Sequence, residues 1–212
     1  MEPINVHAGR VVCIDRDNVD TDQILPKQFM KRIERNGYED YLFYDWRRTE
    51  NGDIDKTFVL NWPQCAQATI MITGRNFGCG SAREHAVWAL SDYGIRVLIG
   101  THFSKIFYLN CINNGILPAI VAESDHSNLI GYFKETQQPL DFIVNLINQR
   151  IALQTGTSIR FSVDSACKER LLAGKDEIEI TLGYMDKISE FENVQRNKLP
   201  WLWERDGHIR KL

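Results

Sequence analysis

The chain has 212 residues, 43% of them hydrophobic and 25% charged, with a formal net charge of −3 at pH 7. This is globular composition, long enough for one large domain, and the acidic balance argues against a nucleic-acid-binding surface. No run approaches the ~18 consecutive apolar residues of a membrane span, and Met1-Glu2-Pro3-Ile4-Asn5 lacks a basic stretch ahead of an apolar core, so a cytoplasmic protein without signal peptide is expected. The five cysteines, Cys13, Cys65, Cys79, Cys111 and Cys167, form no Cys-x-x-Cys pair. Zinc-ribbon and ferredoxin-like sites lose their main support, reduced and mostly buried thiols are expected, and no metal site is predicted.

In chain order, residues 10–14 read as a short strand. The acidic turn Asp15-Arg16-Asp17-Asn18-Val19-Asp20-Thr21-Asp22 is not a calcium loop: the fifth position is Val19, and Asp20 stands where an EF-hand needs glycine. Asx hydrogen bonding within a turn is the simpler reading. Residues 23–26 read as extended before Pro26. Residues 27–33 read as one or two helical turns with Phe29 and Ile33 on one face. Tyr38, Tyr41, Phe43, Tyr44 and Trp46 make an aromatic stretch, and residues up to Pro63 look like a packed insertion.

From residue 68 the pattern becomes regular. Strand 68–73, a glycine loop, helix 83–93 closed by Gly94, strand 96–99, helix 105–112, strand 116–121 and helix 128–133 give a β-α-β-α-β rhythm. That rhythm implies parallel pairing in a layered α/β core. Residues 140–146, 150–153 and 159–163 read as strands of a second, antiparallel layer. Residues 165–172 and 177–191 read as two helices, and a tail containing Trp201 and Trp203 follows.

The loop Gly74-Arg75-Asn76-Phe77-Gly78-Cys79-Gly80-Ser81-Ala82-Arg83-Glu84-His85 stands out. Strand, glycine loop and helix start together make a ready anion site, because free N–H groups and the positive end of the helix dipole point into it. The spacing supports two compatible readings. Ser81-x-x-Glu84 fits a capping box, with Ser81 as cap, Glu84 reaching back, His85 half-buried and Arg83 on the surface. Alternatively, converging N–H groups and a guanidinium stabilise the Ser81 alkoxide and make it a base, while Arg83 grips a carboxylate in bidentate fashion. Cys79 is not read as a cluster ligand, since a cluster needs several thiolates and none is near.

Taken together, Asn18-Val19-Asp20-Thr21-Asp22-Gln23-Ile24-Leu25-Pro26 and Gly78-Cys79-Gly80-Ser81-Ala82-Arg83-Glu84-His85-Ala86-Val87-Trp88-Ala89-Leu90 resemble the small-subunit family of bacterial 3-isopropylmalate dehydratases, in the aconitase superfamily. The resemblance runs over nearly the whole chain, through Asp92-Tyr93-Gly94, Phe103-x-x-Ile106-Phe107 and Met185-Asp186-Lys187-Ile188-x-x-Phe191-Glu192. It implies a single α/β domain, the layered β/β/α swivelling domain of aconitase, with a core over about 5–164 and a helical extension over about 165–212. It also implies a hydro-lyase of leucine biosynthesis that interconverts 2- and 3-isopropylmalate by dehydration and rehydration. The partner implied is a large subunit, in a heterodimer or heterotetramer, carrying a [4Fe–4S] cluster whose open iron is the Lewis acid; no cofactor is expected on this chain.

By motif position, the resemblance makes Ser81 the base and Asp22 a supporting acid. It makes Arg83 the carboxylate ligand and places Gly80, Ala82 and Thr21 among the substrate contacts. Phe29, Met30, Lys31 and Arg32 fall where the family's specificity loop lies, Phe29, Met30 and Ile33 offering apolar contact. Two departures stand out: Ala82 replaces a second serine of aconitase, and the arginine that follows aconitase's Thr-Asp motif is missing. Related readings are a homoaconitase or dimethylmaleate hydratase small subunit, or a non-catalytic anion-binding module. The 38–46 stretch and the Trp201-Leu202-Trp203 tail are candidate contact surfaces for the partner, with burial in the chain's own core as the alternative.

Overall fold

In the computed structural model, residues 1–31, 34–81, 83–136 and 138–203 are described, the side chains of Lys31 and Glu177 excepted. Of the residues singled out above, Arg32, Ile33, Ala82 and the Lys31 side chain therefore lie outside the description. Strand β1 spans Val6–Ile14, longer than its apolar core suggests, and is followed by the short helix α1, Thr21–Ile24. Residues 23–24 are thus helical rather than extended. Asp20 caps α1: its carboxylate accepts from Gln23 N–H at 2.8 Å while the Gln23 side chain accepts from Asp20 N–H at 2.9 Å, a reciprocal capping box. A 3-10 turn at Lys27–Lys31 and helix α2, Tyr44–Arg47, follow. The 38–46 aromatics turn inward: Tyr38 and Phe43 are fully buried, and Tyr41 and Trp46 pack on the same core. This removes most of that stretch from the candidate contact surfaces.

The regular region then runs β2 (Ile70–Thr73), α3 (Glu84–Tyr93), β3 (Val97–Gly100), α4 (Lys105–Asn113), β4 (Leu117–Val121) and α5 (Glu123–Glu135). Helix α5 starts five residues earlier than its apolar positions indicate, because Glu123, Asp125 and their neighbours form a polar, acidic first turn, favourable at a helix N-terminus. Strands β5 (Asp141–Asn145), β6 (Arg150–Ala152) and β7 (Ser158–Ser162) form an antiparallel meander.

Strands β1, β2, β3 and β4 are parallel neighbours. The two layers join at both edges. The first half of β1 pairs antiparallel with β5 and its second half with β2, while β4 pairs antiparallel with β7, so the ring closes as β1-β2-β3-β4-β7-β6-β5. The sequence reading foresaw the two layers but not this closure, which leaves no free sheet edge in the ring.

Burial follows the layering. Strands β2 and β3 are buried at every position, as expected of strands covered on both faces, whereas β5 and β7 alternate. Ile70, Ile72, Val97 and Ile99 share a cluster with Phe142, Val144, Ile151 and Phe161 from the antiparallel layer. Met71 and Leu98, the residues between them, face a second cluster with Ala86, Leu90 and Phe107 from the helices. The order is sheet, sheet, helices: the layered β/β/α arrangement.

Helix α6 (Ser165–Ala173) belongs to the first of two compact units, residues 1–174, through buried Leu171, whose carbonyl accepts from Ile4 N–H at 2.9 Å. The second unit starts at Lys175, later than the boundary near 165 read from the sequence. In it, the single helix expected over 177–191 is two, α7 (Glu177–Leu182) and α8 (Met185–Lys198), separated at Gly183-Tyr184. Trp201 and Leu202 are exposed.

Candidate active site

Strands β1 and β2 are parallel neighbours, with Ile14 opposite Thr73. Their outgoing chains therefore emerge side by side at the carboxyl end of the sheet, the usual place for a site in an open parallel sheet. One is the acidic turn, the other the glycine loop, and hydrogen bonds join them along their length. Asn18 N–H donates to Arg75 O at 2.8 Å, Arg75 N–H to the Asp17 carboxylate at 2.7 Å, and Gly78 N–H to Val19 O at 2.8 Å. Thr21 N–H donates to Cys79 O at 3.1 Å and the Thr21 hydroxyl to Ser81 O at 2.6 Å. The Asx reading of the turn thus becomes a cross-strap to the loop.

Two glycines make this geometry possible. Gly78 has φ +75°, and a Cβ there would lie 2.1 Å from the Phe107 ring. Gly80 has φ +83°, with its Cβ position 3.3 Å from that of Asp20. Both sit in the left-handed region where side chains are costly. The Ser104 hydroxyl donates to Gly78 O at 2.8 Å, tying the loop to the start of α4.

Ser81 is exposed, and among the described residues its hydroxyl has no hydrogen-bond partner. It does not cap α3, which corrects the capping-box reading of Ser81-x-x-Glu84. The N-cap position is Arg83, extended at φ −98°, ψ 119°, with no side-chain cap. Ser81 therefore stands two residues too early to reach the first-turn N–H groups. Glu84 is held elsewhere: its carboxylate accepts from the Asn114 side chain at 2.9 Å and lies 3.8 Å from Arg35.

Arg83 is not a surface arginine, since its side chain is 19% exposed. One guanidinium N–H₂ group pairs with the Asp22 carboxylate and also meets the Met30 sulfur at 3.5 Å. The other Asp22 oxygen lies 3.3 Å from Lys27 Nζ. The structure thus brings together Ser81, Gly80, Thr21, Asp22, Arg83 and Met30. Phe29 is adjacent, but its ring stacks on Tyr41 at 4.2 Å and packs tilted against Tyr44 at 4.8 Å, so it supports the segment more than it reaches out. Thr21 is 1% exposed with its hydroxyl committed to the loop, which turns the expected substrate contact into a structural one. Lys27 is a member that the sequence does not announce, since only the fold places it on Asp22. An open depression of about 470 Å³ beside Asp22 is lined by Pro26, Lys27, Gln28 and Asp45. A more closed cavity of about 420 Å³, lined by Val11, Trp62, Cys65 and Phe133 among others, shares no residue with the loop and gathers little chemistry.

His85 packs on Trp88, ring centroids 4.5 Å apart, and lies edge-on to Tyr38. It is a packing residue. Burial first, and the Asp20 charge second, push the Cys79 thiol up, so it stays protonated near neutrality. Among the described residues no three His, Cys, Asp or Glu side chains are grouped to hold a metal ion, so these residues do not fit a metal cluster. No helix of the described residues is long and apolar enough to cross a membrane.

The Aconitase C-terminal domain family model matches residues 1–124. The chain is 49% identical to the 3-isopropylmalate dehydratase small subunit of Shouchella clausii over 195 residues, 92% of this chain and 98% of the relative. It is 47% identical to that of Bacillus subtilis over 202 residues, 95% and 99% of the two chains. The crystal structure of 3-isopropylmalate dehydratase from Methanocaldococcus jannaschii superimposes with a TM-score of 0.60 at 24% identity, over 90% of this chain and 99% of that one, a likeness of fold. With a family model covering more than half of the sequence and near-full-length relatives approaching 50% identity, this chain belongs to the aconitase C-terminal domain family, among the small subunits of 3-isopropylmalate dehydratase.

Proposed function

We propose that this chain supplies the base and the carboxylate grip of a 3-isopropylmalate dehydratase, interconverting 2- and 3-isopropylmalate by dehydration and rehydration, and that it works only with a large subunit. In this reading Ser81 removes the proton α to a substrate carboxylate. The C–H electron pair becomes the new C=C bond, hydroxide departs from the neighbouring carbon, and rehydration with the opposite regiochemistry completes the isomerisation. The observation that carries the assignment is the Ser81 hydroxyl: exposed, without a partner among the described residues, and held by a backbone that is itself strapped. An ordinary serine is too weak a base for this step, so its alkoxide must be stabilised by nearby positive charge.

Arg83 supplies such charge. Asp22 and Met30 both engage the same guanidinium nitrogen, which leaves the remaining N–H donors for a substrate carboxylate. Asp22 then orients Arg83 while Lys27 offsets its negative charge. Met30 borders the grip with an apolar thioether, suited to an isopropyl group rather than to a third carboxylate. The Lewis acid for the leaving hydroxyl is assigned to a [4Fe–4S] cluster on the large subunit, and the residues described here neither hold nor complete it. The extension presents a candidate contact face for that partner, with Phe191, Trp201 and Leu202 each about 60% exposed.

Reconstitution with a cluster-bearing large subunit tests the assignment. Isomerisation is expected with the native chain and should fall by three orders of magnitude or more with Ser81→Ala. Turnover within a few-fold of the native rate would remove Ser81 as the base.

A further inference from the structure

The Ser81 hydroxyl makes no hydrogen bond to the described residues. Its aim must therefore come from the backbone that carries it. That backbone has a weak point, since Gly80 at φ +83° is an unhindered pivot immediately before Ser81. One residue grips the chain on both sides of the pivot: the Thr21 N–H holds Cys79 O at 3.1 Å, and the Thr21 hydroxyl holds Ser81 O at 2.6 Å. The two gripped carbonyls bracket the Gly80–Ser81 peptide, so they limit how far the segment carrying Ser81 can turn.

Thr21 is itself well anchored. It is the first residue of α1, enclosed by the Asp20–Gln23 capping box. It is 1% exposed, so water has little room to replace its hydroxyl as a donor to Ser81 O. A side chain that carries both a hydroxyl and a methyl suits such a place, because β-branching restricts χ1 while the hydroxyl donates.

We infer that Thr21 is a positioning residue for the proton-transfer step. Its side-chain hydroxyl, acting through the Ser81 carbonyl, sets where the Ser81 oxygen meets the substrate. The inference rests on the assignment of Ser81 as base. It differs from a substrate-binding role, because Thr21 has neither the exposure nor a free hydroxyl to touch the substrate.

The test uses the reconstituted two-subunit enzyme with Thr21→Val, which keeps the shape and removes the donor, and Thr21→Ser, which keeps the donor. Small misplacements of a catalytic group cost roughly ten- to a hundredfold. Thr21→Val is expected to lower kcat by at least that order while KM for isopropylmalate and large-subunit binding stay within about twofold. Thr21→Ser should retain kcat within about threefold. The deuterium isotope effect on substrate labelled at the abstracted position should rise in Thr21→Val, because proton abstraction becomes more rate-limiting. If Thr21→Val does not assemble, Thr21→Ala removes the same donor with less bulk and is judged by the same criteria. A native kcat in the donor-less variant overturns the inference, as does an equal loss in Thr21→Ser and Thr21→Val, which would assign the effect to packing. Ser81→Ala in parallel separates the failures. If it stays active, the base assignment falls and takes this inference with it. If it is inactive while Thr21→Val is fully active, only the role of Thr21 falls.

Discussion

Ser81 faces two demands that one serine rarely meets together. A capping serine spends its hydroxyl on a helix N–H, whereas a base must keep its hydroxyl free. The structure resolves the conflict by leaving α3 without a side-chain cap and keeping Ser81 two residues ahead of Arg83, the N-cap position. A thermodynamic prediction follows at this scale. Ser81→Ala should change unfolding free energy in urea by less than about 0.5 kcal/mol, the range of exposed substitutions, while abolishing turnover. A loss of about 1 kcal/mol or more would be the signature of a lost cap and would restore the capping reading. The Ser-x-x-Glu spacing misled because its competitors are distant in sequence: Thr21 takes the Ser81 carbonyl and Asn114 takes the Glu84 carboxylate. The capping box that does form, Asp20 with Gln23, carried a readable signal of an acidic residue with Gln three positions on. Pro26 hides that signal, because it favours an extended chain over the residues before it. Arg83 shows the same limit, since nothing local to it announces Asp22 or Met30 as neighbours.

At the scale of elements, the glycine loop is built against the helices as much as against the acidic turn. The Phe107 ring, on α4, occupies the space that a side chain at Gly78 would need. The closest approach is to the base of the ring, 2.1 Å from the Cβ position, where rotation about χ2 gives no relief. Phe107 is also 1% exposed and packs edge-on against Phe77, ring centroids 5.7 Å apart, so it has little freedom to withdraw. Gly78→Ala should therefore destabilise the fold by about 2–5 kcal/mol, from the left-handed backbone and overpacking together, measured by urea unfolding. A cost below about 1 kcal/mol would mean that the loop shifts freely and that its backbone is not rigid enough to aim Ser81. The strand–loop–helix unit was legible because its apolar periodicity and its glycines are local. The division of the C-terminal helix at Gly183-Tyr184 left a trace too, in the glycine after Leu182, but helical spacing continues on both sides and hides it.

At the scale of the molecule, the site lies at the carboxyl ends of two adjacent parallel strands, in a ring that has closed on itself. Parallel pairing could be read from alternating strands and helices. Closure could not, because it depends on β1 changing partners near Arg10-Val11, pairing first with β5 and then with β2. No periodicity in a single strand encodes that change. The same bookkeeping of partners sets the last prediction. Among the described residues, the extension has little buried surface of its own. Every described side chain of α7 is exposed and α8 buries none, although Ile178 is 71%, Leu182 56% and Phe191 62% exposed. Exposed apolar surface of this extent usually marks a contact. A chain ending at Gly174 is accordingly expected to retain less of the large subunit in sedimentation velocity than the full-length protein. Undiminished capture of the large subunit would move the contact face to the surface around the Ser81 loop.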